Sequence, residues 1–429
     1  MLPGLIEIVP LTHAVKAEVT APGSKSITNR ALILAALAQG DVTLRGALWS
    51  EDTQVMTLAL QHMGFEIEAK RDPREPCNRE IHVKGLGGKI PWSGPPDRPL
   101  ELYVGNAGTA ARFLAAFTCL GLGVYRLHGV KRMEQRPQAA LFEALRQLGY
   151  RIDAERDHLP ARIYGTGPRA ASCSISLDES SQFASALLLC AGAGGWKVAL
   201  EGKGAEDAAY VAMTRELIDS FPHEGGKFQI EADASSASYF FAADWLMGHK
   251  PGASIKVAAF PKSSWQIDAA FPNFLPLPAR ISRASDLGDS IMTAITLAPF
   301  GERATTFTDL GRLRVQECER VAALRTELTK CGAKVVERGQ TLTVFPSAHL
   351  MHGAGIETYD DHRMAMCFAI LGLKVEGIKI KNPSCVKKTF PNFFQKLAAA
   401  PPAGLGAKIL DGRSGAPLAR EHLLAGLKA

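Results

Sequence analysis

The sequence has little of what would mark several broad classes of protein. Its 429 residues include eight cysteines, but no two form a Cys-x-x-Cys pair. That spacing argues against a structural zinc site or a disulfide frame and for reduced thiols. No apolar run is long enough to span a bilayer, and the best candidate, Phe113 to Tyr125, is too short. The opening residues MLPGLIEIVP lack the basic-then-apolar layout of a secretion signal, so a cytoplasmic location is expected. The net charge is +6, yet no concentrated Lys/Arg stripe is present. This mild basicity suits small anionic substrates better than nucleic acid, and no nucleic-acid or membrane partner is expected. Low-complexity sequence is absent until about Ala398. With 46% hydrophobic and 21% charged residues, the chain has enough apolar material for two or three packed domains.

Strand-like and helix-like patterns alternate along the chain, which indicates an α/β protein. A short unit recurs in which a helix ends Leu-x-x-x-Gly and a strand follows at once. It occurs at Leu60–Gly64, Leu145–Gly149 and Leu328–Gly332, with a degenerate copy at Leu217–Phe221. Glycine is the usual residue just past a helix end, where a positive φ is needed. Copies this widely spaced indicate repeated α/β units. Two segments read as boundaries: Thr20–Lys25, with Pro-Gly at a strand–helix junction, and the small, polar Glu231–Phe240. They divide the chain into a discontinuous domain, residues 1–21 plus 233–400, and an inserted domain, residues 22–232. Residues 401–429 read as a flexible joint and a short peripheral helix.

Five polar segments stand at the starts of apolar helices. In "APGSKSITNR", Lys25 is separated from Gly23 by Ser24, and no glycine lies five positions before Gly23, so this is not a nucleotide P-loop. It leaves Ser24, Ser26 and Thr28 as caps or donors, with Lys25 and Arg30 as cations. "YVGNAGTAARFLAA" brings Gly105 to Thr109 and Arg112 to a second helix start. "GVKRMEQRPQAAL" places Lys131, Arg132 and Arg136 ahead of a third. "DESSQFASALLL" contributes Ser180, Ser181 and Gln182. "ETYDDHRMAM" opens a buried helix with Asp360, Asp361, His362 and Arg363. Neighbours on a helix point apart, so the last group is a poor metal site. One such cradle is ordinary, but five suggest a site built to hold several negative charges.

These motifs, taken with "DASSASYFFAA", "LRVQECER" and "KKTFPNFF", resemble the 5-enolpyruvylshikimate-3-phosphate synthase family of enolpyruvyl transferases, in the family's own order from about Lys16 to Leu397. The resemblance implies a two-domain fold of repeated βαβαββ units, helices inside and sheets outside, with domains that close over the substrates. It implies transfer of the enolpyruvyl group of phosphoenolpyruvate to the 5-hydroxyl of shikimate 3-phosphate. No metal or organic cofactor is implied, and a monomer is expected. By the same resemblance Asp289 is the proton acceptor, Glu317 the proton donor, and Lys25 a residue touching both substrates. Phosphoenolpyruvate is assigned to Lys25, Gly108, Arg132, Gln182, Arg320, Arg363 and Lys388. Shikimate 3-phosphate is assigned to Ser26, Arg30, Ser180, Ser181 and Asp289, with Gln316 beside it.

The sequence departs from the family on the acceptor side. Asp207 stands where serine is usual, Gln316 where lysine is usual, and Arg312 where asparagine is usual. An acceptor other than shikimate 3-phosphate, or a non-catalytic relative, is the alternative these departures leave open. The segment from Trp265 to Asp289 is also short, so one C-terminal repeat is expected to be trimmed. The resemblance further implies inhibition by glyphosate, competitive with phosphoenolpyruvate. Phe113, where relatives often carry proline, is the residue most apt to tilt the helix against that inhibitor. Unaffected turnover at high glyphosate, with ordinary phosphoenolpyruvate affinity, would show that the tilt prevails.

Overall fold

In the computed structural model, which describes residues 2–177, 180–202 and 208–426, the chain divides into two compact units. One comprises Met1–Pro22 with Ala232–Ala429, the other Gly23–Glu231.

Among the described residues, each unit holds two four-stranded sheets and one two-stranded sheet. In the continuous unit, strands Leu100–Tyr103, Leu122–His128, Ala161–Thr166 and Arg151–Ala154 lie side by side in that order. The first pair is parallel and the other two pairs are antiparallel. With helices Gly108–Thr118 and Ala139–Gln147 between them, they make one complete βαβαββ unit. The discontinuous unit repeats the pattern with strands Arg280–Ser282, Thr305–Thr308, Thr341–Val344 and Val335–Arg338. The other two four-stranded sheets are completed by strands from distant sequence. Gly226–Gln229 joins Asp41–Leu48 in parallel. Leu5–Ile8 lies between Ile378–Lys381 and Ile409–Asp411, antiparallel to both.

The remaining sheets stop at two parallel strands: Ala171–Ser176 with Trp196–Glu201, and Ala17–Thr20 with Ile255–Ala258. In the C-terminal half, where a trimmed repeat was expected, the chain passes from Ile255–Ala258 through the 3-10 segment Ile267–Phe274 to Arg280–Ser282. A second repeat, not anticipated from the sequence, also shows no closing pair among the described residues. Helix Ala208–Ser220 turns at residues 222–225 straight into Gly226–Gln229.

The recurrent Leu-x-x-x-Gly element has one physical cause. Gly64, Gly149 and Gly332 take φ of 92°, 88° and 89°. The next residue's N–H then reaches back to the leucine carbonyl: Phe65 to Leu60, Tyr150 to Leu145, Ala333 to Leu328, at 3.0–3.1 Å. This closure satisfies a helix-end carbonyl and turns the chain into a strand.

Helices sit inside each unit. All residues of Gly108–Thr118 and of His362–Gly372 are buried, as is nearly all of Ala234–Leu246. Such helices are apolar on every face, so their polar residues collect at the starts. The eight cysteines are free, seven of them buried. No helix among the described residues is long and apolar enough to cross a membrane.

The segment after Ala400 differs from the peripheral tail read from sequence. Ile409–Asp411 forms an edge strand against Leu5–Ile8, and Leu405, Ala407, Ile409, Leu423 and Ala425 are buried in the core. The expected short helix is a 3-10 turn, Arg420–Leu423. Composition obscured this because alanine and glycine dilute the alternation of so short a strand. Ile409→Ala should therefore cost about 2–5 kcal/mol of unfolding free energy in denaturant titration. A loss under about 0.5 kcal/mol, typical of surface changes, would show that the strand contributes no core.

Candidate active site

In the continuous unit, the helix Lys25–Leu37 starts without a side-chain cap bond at Ser24. The Lys25 ammonium lies 3.1 Å from Oδ2 of the buried Asp52, a partner that the sequence did not reveal. Arg30 is 1% exposed. Its Nε donates to Thr214 Oγ1 (2.8 Å), Nη2 to Ser185 Oγ (3.0 Å) and Nη1 to the Ser26 carbonyl (2.9 Å). The guanidinium also lies 5.2 Å from the Phe113 ring centroid, so Phe113 forms a face for this arginine. Burial among neutral groups lowers the Arg30 pKa to about 10.

Ser180 caps the helix Ser181–Gly194 by accepting from the Gln182 N–H at 3.2 Å. Gln182 Oε1 accepts from Arg112 Nη1 (3.3 Å), and its Nε2 lies 3.4 Å from Thr109 Oγ1. Ser180, Ser181 and Gln182 are thereby tied to the start of the Gly108 helix. The space beside Gly108 is filled by cations. A Cβ added there would lie 2.3 Å from Arg112 Nη1 and 2.6 Å from Arg136 Nη2. Arg136 is buried and donates to the Asn106 carbonyl at 3.2 Å. Arg132, the residue the resemblance assigned, is half-buried with its guanidinium 3.4 Å from Gln135 Oε1. The arginine beside Gly108 is thus Arg136, four residues on, on the chain leading into the next helix. Arg112 and Arg136 stand in the quoted motifs but were not assigned to the site.

In the discontinuous unit, Asp361 organises a second cluster. It caps the helix His362–Gly372 by accepting from the Arg363 N–H at 2.9 Å. Its side chain also accepts from Arg320 Nε (2.7 Å) and Nη2 (3.3 Å). Arg320 is 1% exposed, and its Nη2 lies 2.8 Å from Glu317 Oε2. Its Nη1 donates to Gln316 Oε1. Lysine at position 316 could not accept this bond. Burial opposes the Arg320 charge, but Asp361, Glu317 and Asp289 outweigh it and raise its pKa. Lys388 Nζ stands 3.7 Å from Glu317 Oε1. Arg363 donates to Ser235 Oγ (2.6 Å) and to Asp289 Oδ2 (3.0 Å). Burial alone would raise the Asp289 carboxyl. The guanidiniums of Arg363, Arg283 and Arg320 outweigh it and hold the group well below the usual carboxylate range.

Glu317 is therefore in direct polar contact with Arg320 and Lys388, and Asp289 with Arg363, while Asp361 links the two groups through Arg320 and the Arg363 N–H. Arg312 lies in the 3-10 turn Gly311–Val315, just before Gln316. Asp207 lies outside the described residues.

The architecture is that of an enolpyruvyl transferase. An EPSP synthase from Acinetobacter baumannii superposes with a TM-score of 0.71 at 24% identity, covering 94% of this chain and 99% of that one. The enolpyruvyl transferase NikO from Streptomyces tendae gives 0.66 at 16% identity, with 94% and 98% covered. In sequence, the chain matches the family EPSP synthase (3-phosphoshikimate 1-carboxyvinyltransferase) over residues 10–275 and 276–397. It is 37% identical to the 3-phosphoshikimate 1-carboxyvinyltransferase of Vibrio cholerae, covering 90% of this chain and 96% of the relative. The enzyme of that name from Trichormus variabilis is 35% identical, with 91% and 98% covered. The chain belongs to the EPSP synthase family.

The crowding at Gly108 gives a direct test. Gly108→Ala must displace Arg112 or Arg136, the cations nearest the glycine assigned to phosphoenolpyruvate. One charge-assisted hydrogen bond lost corresponds to roughly a 10–100-fold rise in the KM for phosphoenolpyruvate. The KM for the acceptor should change much less. Equal changes in both constants, or none, would remove these arginines from the phosphoenolpyruvate site.

Proposed function

We propose that this protein transfers the enolpyruvyl group of phosphoenolpyruvate to the 5-hydroxyl of shikimate 3-phosphate and releases phosphate. This places it in the route to chorismate and the aromatic amino acids, acting as a cytoplasmic monomer. The observation that carries the reading is the pairing of Glu317 and Asp289 with Arg320, Lys388 and Arg363. Two carboxylates suited to proton transfer are each held by cations suited to a substrate with a carboxylate and a phosphate.

The reaction needs a proton on the methylene carbon of phosphoenolpyruvate, which makes the adjacent carbon electrophilic. The acceptor hydroxyl attacks that carbon while its own proton passes to a base. The tetrahedral intermediate then loses a methyl proton as its carbon–oxygen bond to phosphate breaks, which regenerates the double bond. Glu317 delivers and retrieves the carbon-bound proton, and Asp289 takes the hydroxyl proton. Lys25, near 3 Å from Asp52, supplies charge to both substrates. Gly108, Arg132 and Gln182, with Arg112 and Arg136 beside them, join Arg320, Arg363 and Lys388 in binding phosphoenolpyruvate. Ser26, Arg30, Ser180 and Ser181 serve the acceptor.

The shared cations link binding to chemistry. Arg320 and Lys388 contact Glu317 and are also assigned to phosphoenolpyruvate, so the donor is held beside the molecule it protonates.

A different hydroxyl acceptor remains the second reading, favoured by Gln316. Its side-chain oxygen is engaged by Arg320, and it brings no cation to the acceptor side.

Glu317→Gln separates the roles. It keeps the size and hydrogen-bonding shape but cannot donate a titratable proton. Phosphate release in the presence of both substrates should slow by at least ~10²-fold, as for a lost general acid. The two KM values should hold, and solvent deuterium should enter the product's methylene group correspondingly slowly. Parental turnover, or a loss confined to substrate affinity, would take the donor role away from Glu317.

A further inference from the structure

We infer that Arg283 is a further positioning residue, which together with Arg363 clamps Asp289 by one guanidinium on each carboxylate oxygen. The inference rests on the reading of Asp289 as the acceptor of the hydroxyl proton.

The geometry is two-sided. Arg363 Nη2 lies 3.0 Å from Asp289 Oδ2, and Arg283 Nη2 lies 3.4 Å from Asp289 Oδ1. Arg283 is 3% exposed, and among the described residues its ion pair is with Asp289 alone. Its Nε is buried without a partner. Burying an arginine against a single, rather long contact gives little stability, because desolvation offsets most of the attraction. Arg320, by contrast, satisfies its guanidinium with Asp361, Glu317 and Gln316. A residue packed as Arg283 is packed is better explained by what it does to its partner.

Its placement is rigid. The Arg283 N–H donates to the Thr308 carbonyl at 3.1 Å, which extends the pairing of Arg280–Ser282 with Thr305–Thr308 by one residue. The short loop onward to Asp289 is tied at its start by Asp286 Oδ2, which accepts from the Ser282 N–H at 2.8 Å. At its end, the Ser290 N–H donates to Asp268 Oδ1 at 2.6 Å. The backbone on both sides of Asp289 is therefore held, and Arg283 holds the side chain from the strand end.

Two clamps have different duties. Arg363 belongs to the cations proposed for phosphoenolpyruvate, so an arriving substrate competes with Asp289 for it. Arg283 is assigned to no substrate. It keeps Asp289 in place when Arg363 is drawn away, at the stage when the base must be aligned with the acceptor hydroxyl.

The test is a double-mutant cycle on turnover with Arg283→Gln, Asp289→Asn and both together. Arg283→Gln should lower kcat by at least about tenfold, because misaligning a proton acceptor forfeits part of its contribution. The KM for phosphoenolpyruvate should stay within about threefold. Added to Asp289→Asn, Arg283→Gln should bring no further loss, since a residue acting through another has nothing left to act on. Arg283→Lys keeps the charge and should recover part of the lost turnover. It also serves in place of Arg283→Gln should that variant not fold. Parental kcat in the Arg283 variants, or losses that multiply in the double variant, would overturn the clamp while leaving Asp289 as the base. Parental kcat in Asp289→Asn would overturn both readings.

Discussion

The site in the discontinuous unit depends on one buried ion pair, Asp361 with Arg320. Asp361 has no exposed side-chain surface, and Arg320 has 1%. Together they span the start of one helix, where Asp361 accepts from the Arg363 N–H, and the first residue of another, where Arg320 begins Arg320–Lys330. Such a pair is poor value as a source of stability, since both charges leave water. What it contributes is position. With Asp361 occupying two nitrogens of the guanidinium, Arg320 can meet Glu317 in one orientation only. Remove the carboxylate and a buried cation would lie against Glu317 and Asp289 with its geometry undetermined. The cluster's other charges take their places around this one bond.

The continuous unit solves its own problem differently. Arg30 is as buried as Arg320, but its donors meet two hydroxyls and a carbonyl, not a carboxylate. Its charge is therefore not neutralised within the unit, and burial lowers its pKa where the Asp361 pair raises that of Arg320. Arg112 and Arg136 also donate to neutral acceptors: Gln182, the Pro137 carbonyl and the Asn106 carbonyl. Neutral acceptors orient a cation without cancelling it. A polyanionic substrate then supplies the missing charge, and desolvation already borne by the folded unit need not be repeated on binding. One unit thus orients buried arginines through neutral acceptors, and the other holds its carboxylates against cations.

Much of this was legible in the sequence, for identifiable reasons. Helix starts were readable because caps and anion-binding residues are local: Ser180 and Asp361 cap their helices within two residues of themselves. The repeat was readable because Leu-x-x-x-Gly encodes a closure that needs only six residues. Long-range partners were not. Nothing near Lys25 announces Asp52, and nothing near Arg30 announces Thr214, 184 residues away. Arg136 stood in a quoted motif, but choosing between it and Arg132 requires knowing which faces Gly108. The strand Ile409–Asp411 was hidden in alanine- and glycine-rich sequence, because three residues cannot display an alternation. The shortened repeat in the continuous unit was missed because the chain passes from helix to strand without any change of composition.

The two shortened repeats clarify what the fold needs. Among the described residues each stops short of a closing strand pair and keeps a helix that packs inside. Ser181–Gly194 and Ala234–Leu246 are largely buried and begin with side-chain caps, at Ser180 and Asp233. Their starts also carry polar residues of the site: Gln182 meets Arg112, and Ser235 accepts from Arg363 at 2.6 Å. A hairpin on the outer edge contributes apolar area on one face only, whereas an interior helix is buried on all of them, so the first can be lost at far lower cost. The chemistry resides at the inner helix starts and is untouched by the loss. Sheets can thus be short on the outside while the charged interior is complete.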